Sequence, residues 1–348
     1  MKRDGTAPQS PFRASAPNRV DLAGGTLDIY PLYLLVEGAM TVNAAIAVRS
    51  VVDIRPYPRR AARLQSMNYG LSVVAKDTHA VPLEGKLGLL SRALRHFPPV
   101  SGVEIVVRNE APVGSGIGAS SALLVALMAA MGRLTGQARR WEETAMAAQE
   151  IEASHLKSLA GRQDHVAALR GGIQGIRFLP GRLEALRLPT GGDAGRMLQA
   201  HGILANSGIS HRSSDVNWRM IRGAIEGNAA VLRKFRGIAA AARDAWEAVS
   251  SADPDALGRA ISGEWKIRRT LAEEVSPRKV EALLADRVFR RMISGAKLCG
   301  AGNGGMLFAM LHDPADRAEA GSILAAAGMS VMPFRLSGGL RFGEPDGE

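Results

Sequence analysis

Apolar and polar positions alternate along the first part of the chain. RVDLAG (19–24) and MTVNAAIAVRSVVDIRPY (40–57) are rich in strand-forming residues, and ARLQSMNYGLSVVAK (62–76) continues the alternation, so each predicts strand. KLGLLSRALRHF (86–97) predicts a short amphipathic helix, and VEIVVRN (103–109) a strand that delivers the chain into a glycine turn. Helical spacing fills 120 to about 134 and 141 to about 159, and GGIQGIRFLPGRLEALRL (171–188) predicts a hairpin. Turn formers then gather in PTGGDAG (189–195), the best candidate boundary. Beyond it come a strand (HGILAN), three helical stretches between 215 and 292, a second glycine cluster (CGAGNGGMLFAML), a helix and a final strand (SVMPFRLS). The pattern predicts strands and helices in mixed order in the first half and an α+β second half, without internal repeats or low-complexity segments.

Composition narrows the class. At 348 residues two domains are favoured over one. With 46% hydrophobic and 22% charged residues the chain is neither disordered nor a membrane protein, and no apolar run is long enough to span a bilayer. The N-terminal MKRDGTAPQSPF lacks an apolar segment after its basic residues and predicts a polar tail, which makes cytoplasm the expected location. A single cysteine, Cys299, excludes an intramolecular disulfide and any multi-cysteine metal site, and predicts a small buried hydrophobe. The net charge of +11 would suit an anionic small molecule as well as nucleic acid. With only 5% aromatic residues and no basic block interleaved with stacking side chains, nucleic acid is not the expected partner.

The glycine turn, APVGSGIGASSALLVALMAAM (111–131), carries the first chemical signal. A plain strand-to-helix connection needs one glycine, whereas three at alternate positions let the backbone approach a ligand closely. The following helix offers unpaired amides and the positive end of its dipole to an anion, and Ser120 and Ser121 stand where a hydroxyl caps a helix or holds a metal. A phosphate cradle follows. It is not a Walker loop, because Ala119 and Ser120 replace the Lys and Ser/Thr after the last glycine. A dinucleotide fingerprint is weak too, since GQARRW (136–141) lacks the acidic residue expected about 20 positions on.

Pro112-x-Gly114-Ser115-Gly116-Ile117-Gly118-x-Ser120-Ser121 resembles the phosphate loop of the GHMP kinases, which phosphorylate galactose, homoserine, mevalonate and related alcohols. Four further stretches are similar to that family in the same order. APNRVDLAGGTLDIYP (16–31) resembles its opening motif. EIEASHLKSLAGRQDHVAALRGGIQGIRF (150–178) resembles the stretch with its catalytic aspartate, in the version found in heptose phosphate kinases. ANSGISHRSSDVNW (205–218) resembles the substrate-side loop of that subgroup, and KLCGAGNGGMLFAM (297–310) the last glycine motif, which packs close to the phosphate loop. GEWKIRRTLAEEVSPRKVEAL (263–283) is also similar to the heptose kinases.

The resemblance implies the two-domain GHMP α/β fold. Residues 12–190 would form a ribosomal-protein-S5-like ATP-binding domain and 191–348 a ferredoxin-like domain, with the site between them. It implies ATP-dependent transfer of the γ-phosphoryl group to a hydroxyl of a sugar or sugar phosphate, with Mg2+. Asp164 would take the hydroxyl's proton, and Arg19 would stabilise phosphoryl charge and help keep Asp164 ionised. Pro112, Gly114, Ser115, Gly116, Ile117, Gly118, Ala119, Ser120 and Ser121 would hold the nucleotide, and Ser120 or Ser121 with Glu152 the magnesium. Glu150, two positions from Glu152 on the helix, would be solvated. Acceptor contacts would come from Gly25, Thr26, Asp28, Ser207, Ser210, Arg212, Ser213 and Gly302, with Arg212 suited to a substrate phosphate.

His165 stands where the subgroup usually has Gln, and Asn303 where the last motif usually has Gly. The alternatives left open are a mevalonate-type or other GHMP activity and a nucleotide- or sugar-binding regulator without chemistry. Oligomeric state is open between monomer and homodimer. His155 and His165 are expected to be structural rather than metal ligands, and Met128, Met131 and Met146 to be core.

Overall fold

A computed structural model of the chain describes residues 7–58, 60–209, 213–272 and 275–345, without the side chains of 213–217. The first half runs β1 (Phe12–Ala23), α1 (Leu32–Leu35), β2 (Met40–Pro56), β3 (Ala62–Ser66), β4 (Leu71–Ala75), α2 (Gly88–Leu94) and β5 (Val103–Asn109). It continues with α3 (Ala119–Thr135), α4 (Trp141–Leu156), α5 (Gln163–Arg170), β6 (Ile173–Leu179) and β7 (Arg182–Leu188). The 17-residue β2 organises this sheet. One edge pairs antiparallel with β1, while the other pairs with β6 through Met40 to Ala44 and with β5 through Ser50 to Pro56. β3 lies parallel to β5, which makes the sheet mixed.

The second half begins with α6 (Asp193–His201) and β8 (Gly202–Asn206), followed by α7 (Ser213–Ile225), α8 (Ala229–Ser250), α9 (Pro254–Arg268), α10 (Arg278–Ala285) and α11 (Arg287–Met292). Then come β9 (Ile293–Leu298), β10 (Met306–Leu311), α12 (Arg317–Ala326), β11 (Ser330–Met332) and β12 (Arg341–Gly343). A four-stranded sheet is ordered β11-β8-β10-β9, antiparallel throughout, and β12 returns to pair with β1 of the first sheet.

Burial explains the layers. α3 is apolar almost all round, and its fully buried face joins Ala14, Ala16, Val52 and Ile54 of β1 and β2 in one core. A register shift between Pro17 and Asn18 re-aims β1, so that Val20 and Leu22 pack in a second core with Ala242 and Ala245 of α8. Arg19 and Asp21, on alternate positions, are thereby directed elsewhere. α8 covers β1 and β2, and α9 covers β9 and β10, so this helical hairpin lies between the two sheets.

Local chemistry accounts for the departures from the sequence pattern. α4 stops at Leu156 rather than 159 because Lys157 turns left-handed (φ 50). α6 starts inside the turn-rich 189–195 stretch, at Asp193 after Gly192. Among the described residues five helices, not three, lie between 213 and 292. The last two are separated at Asp286, which ends α10 and caps α11 through the Phe289 amide at 2.8 Å. The final strand keeps only Ser330–Met332, since Pro333 cannot donate to a ladder. Met128 and Met131 are core, whereas Met146 is exposed.

Candidate active site

A cavity of about 570 Å³ opens where the glycine turn, the start of α5, the turn after β1 and the second glycine cluster meet. Gly114, Gly116 and Gly118 all take left-handed φ of 71 to 74°, a conformation that L side chains rarely adopt. A Cβ on Gly118 would sit 2.9 Å from Asp164 Oδ2, so this position must also be small to admit the carboxylate. Gly118 caps α3 without any side-chain bond. Ser120 and Ser121 thus do not cap the helix, whose first turn lines the cavity without a side-chain cap. Ser120 is exposed and lines the cavity. Ser121 is buried and donates from Oγ to Glu152 Oε2 at 2.8 Å.

Arg19 is 4% exposed and joins three parts of the site. Its Nε donates to Asp164 Oδ1 at 2.8 Å, with Nη2 2.7 Å from the same oxygen, and Nη1 donates to the Gly116 carbonyl at 2.6 Å. Its backbone amide donates to the Ile117 carbonyl at 3.0 Å. Burial raises the Asp164 carboxyl above its ordinary value; Arg19 opposes that rise and Glu152 adds to it. Arg19 therefore limits the upward shift without reversing it. Asp164 remains open to the cavity, with 21% of its side chain accessible.

Glu152 is buried and Glu150 exposed. Burial alone would raise Glu152, but His165 and the Ser121 hydroxyl bring it below the ordinary value. His165 Nε2 lies 3.1 Å from Glu152 Oε2. Among the described residues no group of three or more His, Cys, Asp or Glu gathers as a metal cluster.

Asp28 is buried and lines the cavity. Its Oδ2 accepts from the Gln163 amide at 3.0 Å, which makes it an external cap for α5, whose own first turn carries Asp164. A Cβ on Gly161 would fall 2.0 Å from that oxygen, so glycine is required there. Burial pushes Asp28 up to about 6; the Gln163 bond pulls it back and the Asp164 charge adds to the rise.

Thr26 also lines the cavity, with φ 76, whereas Gly25 lies beneath it against Asp21. Pro112 and Ile117 are part of the turn but not of the cavity wall, and Ile117 is fully buried. The second glycine cluster closes on the first. A Cβ on Gly300 would approach the Gly116 carbonyl to 2.9 Å, one on Gly305 the Ser115 carbonyl to 2.5 Å, and Met306 donates to that carbonyl at 2.8 Å. Gly300 and Ala301 contribute to the wall; Gly302 packs against Val275 instead. Asn303 accepts a left-handed φ of 63 and donates its amide to the Val275 carbonyl. Ser207 is buried and receives the Ile209 amide on Oγ, while Ser210, Arg212 and the Ser213 side chain lie outside the described residues.

A glycine turn at a helix terminus thus lies beside a paired carboxylate and a buried Ser–Glu pair on a two-sheet scaffold, an arrangement whose chemistry suits an anion such as phosphate. Residues 87–172 match the family model of the GHMP kinases N-terminal domain. Over 306 residues it is 26% identical to the D-glycero-alpha-D-manno-heptose 7-phosphate kinase of Campylobacter jejuni, covering 85% of this chain and 88% of that protein. It is 23% identical over 333 residues to the L-fucokinase/L-fucose-1-P guanylyltransferase of Bacteroides fragilis, covering 86% of this chain. The chain spans about a third (34%) of that relative's length. The crystal structure of a D-glycero-D-manno-heptose 1-phosphate kinase from Bacteroides thetaiotaomicron superposes with a TM-score of 0.76 at 21% identity, over 97% of this chain and all of the other, so the two share a fold.

Several features of the site lie inside the quoted stretches but had no role assigned to them there. Gly161 and the capping role of Asp28 depend on a contact across 135 positions. Asp21, Glu264, Arg268 and Lys297 form a fully buried ionic cluster below Gly25 and Thr26. The one local signal was the i,i+4 spacing of Glu264 and Arg268. Cys299, as expected, is a buried thiol, pushed up to about 11 mainly by burial.

Proposed function

We propose that this protein is an ATP-dependent kinase that phosphorylates a hydroxyl of a sugar or sugar phosphate, similar to the heptose phosphate kinases. The observation that carries the reading is the Arg19–Asp164 pair, at 2.7–2.8 Å, set against the glycine turn and the uncapped start of α3. Residues 114–121 hold the triphosphate through backbone amides and the helix dipole. Oxygens of Glu152 with Ser121 or Ser120 suit a hard divalent cation, and magnesium bound there supplies neutralisation of polyphosphate charge. A single buried carboxylate beside a hydroxyl fits an ion that takes its remaining ligands from phosphate and water.

Asp164 accepts the proton of the attacking hydroxyl. Its raised pKa strengthens it as a base at neutral pH, and Arg19 fixes the carboxylate while presenting positive charge toward the phosphoryl group. Asp28 and Thr26 orient the sugar by hydrogen bonding to its hydroxyls; Ser210 and Arg212, outside the described residues, keep the acceptor role that the resemblance implies for them. We assign residues 12–190 and 191–348 to the two domains, with β12 crossing back to the first sheet. Among the described residues no helix is long and apolar enough to cross a membrane; with one buried cysteine, cytoplasm is the proposed location.

The test is magnesium-dependent ADP release from ATP with a panel of hexoses, heptoses, their phosphates and mevalonate. Asp164→Asn, which retains the shape, should lower kcat by roughly 100-fold or more while leaving ATP binding intact. Undiminished turnover in that variant would remove the mechanism.

A further inference from the structure

Under the turn of residues 24–28 lie four charges with no accessible surface: Asp21, Glu264, Arg268 and Lys297. Lys297 Nζ is 3.0 Å from Asp21 Oδ2 and 3.1 Å from Glu264 Oε2. Glu264 Oε1 receives Arg268 Nε at 2.6 Å. The other two arms reach the turn above: Nη1 donates to Thr26 Oγ1 at 2.9 Å, and Nη2, which is also 2.6 Å from Glu264 Oε1, donates to the Gly25 carbonyl. Buried ion clusters add little net stability, because desolvation offsets their attraction. This one holds something that needs holding. Thr26 is a β-branched residue at φ 76, a strained conformation that persists only where its surroundings fix it. Arg268 supplies that constraint from α9, across 242 positions of sequence.

We infer that Arg268 is a positioning residue for acceptor recognition, holding the Thr26 turn, and through it Asp28, against the second half of the chain. Its kinetic consequence rests on the phosphotransfer reading above; its structural consequence does not. The charges balance as two acids and two bases, so Glu264→Leu with Arg268→Met removes the anchor and leaves the Asp21–Lys297 pair neutral.

In this double variant we expect amide exchange across residues 24–29 of the full chain to accelerate by roughly tenfold or more. The acceptor KM, read with D-glycero-α-D-manno-heptose 7-phosphate or galactose, whichever is turned over, should rise by roughly tenfold while kcat and the ATP KM stay within about twofold. Thr26→Val removes the hydroxyl that Arg268 reaches and should accelerate exchange across 24–29 in the same direction, whether or not the double variant folds. Thr26→Ser keeps the accepting hydroxyl and should keep wild-type exchange across 24–29. Wild-type exchange across 24–29 in the folded variants, or a lower melting temperature with unchanged acceptor KM, would reduce the cluster to a structural element and overturn the inference. If the wild type phosphorylates neither sugar, the phosphotransfer reading fails for those acceptors, and the exchange measurement alone decides the role of Arg268.

Discussion

Asp28, the proposed acceptor contact, carries a cost to the fold. In the native chain its carboxyl keeps a proton up to about pH 6, whereas an unfolded aspartate releases it near 3.8. Between those values the native state binds more protons than the unfolded state, so stability falls as pH rises through the window and is flat above it. The rise from 3.8 to about 6 corresponds to about 3 kcal/mol. Asp28→Asn keeps an oxygen for the Gln163 amide and carries no charge. Urea unfolding should therefore show the variant gaining on the wild type by up to about 3 kcal/mol between pH 4 and 7 while acceptor affinity is lost. Parallel stability profiles for the two proteins would contradict this assignment. The sequence made Asp28 visible only through a motif. Its burial and its cap on α5 arise from a contact with Gln163 that no local spacing encodes. Arg19 and Asp164 are likewise 145 positions apart, and only the order of the motifs hinted that they meet.

The elements that form the site depend on backbone proximity more than on side chains. The second glycine cluster packs so closely on the first that Gly305, at φ 79, has the Ser115 carbonyl where its Cβ would be. Gly305→Ala should cost about 2 kcal/mol or more, through left-handed strain and the clash together, and raise the ATP KM several-fold. Gly181→Ala is the matched control. It has a similar φ of 73 in the β6–β7 turn with nothing within 4 Å of the added atom, and should cost about 1 kcal/mol with an unchanged ATP KM. Equal effects of the two substitutions on stability and nucleotide binding would show that the contact between the glycine clusters is immaterial. Most strands and the long helices were legible because period-2 and period-3.6 patterns are local. α5 and α6 were not read as helices, being only eight and nine residues long, and α6 starts within a glycine-rich turn. The boundary at Asp286 was hidden because a capping aspartate interrupts helix without interrupting the amphipathic pattern.

At the scale of the whole molecule, the C-terminal segment ties the two halves together. It leaves the second sheet after β11, bridges Ile46 of β2 at Leu336 and ends as β12 on β1. Buried Arg49 fastens it, donating to Ser337 Oγ at 2.8 Å and the Gly339 carbonyl at 3.0 Å while also holding the Ser15 carbonyl at 2.7 Å. Burial lowers this arginine to about 10, which still leaves it charged at neutral pH. Arg49→Met should cost about 3 kcal/mol in urea unfolding, because buried carbonyls lose a charged donor, and Arg49→Lys should recover only part of it. A loss below about 1 kcal/mol would mean the segment is held by strand pairing alone. The final pattern SVMPFRLS predicted a strand but gave no sign that the chain crosses back to the first sheet, since pairing partners are not written in alternation.

One measurement reaches the central claim most directly: magnesium-dependent ADP release from ATP across the sugar, sugar phosphate and mevalonate panel, with wild type and Asp164→Asn side by side. We expect a signal that requires a sugar or sugar phosphate and that falls by roughly 100-fold or more in the variant. ATP binding without ADP release on any acceptor, or a sugar-dependent signal that survives Asp164→Asn, would contradict it.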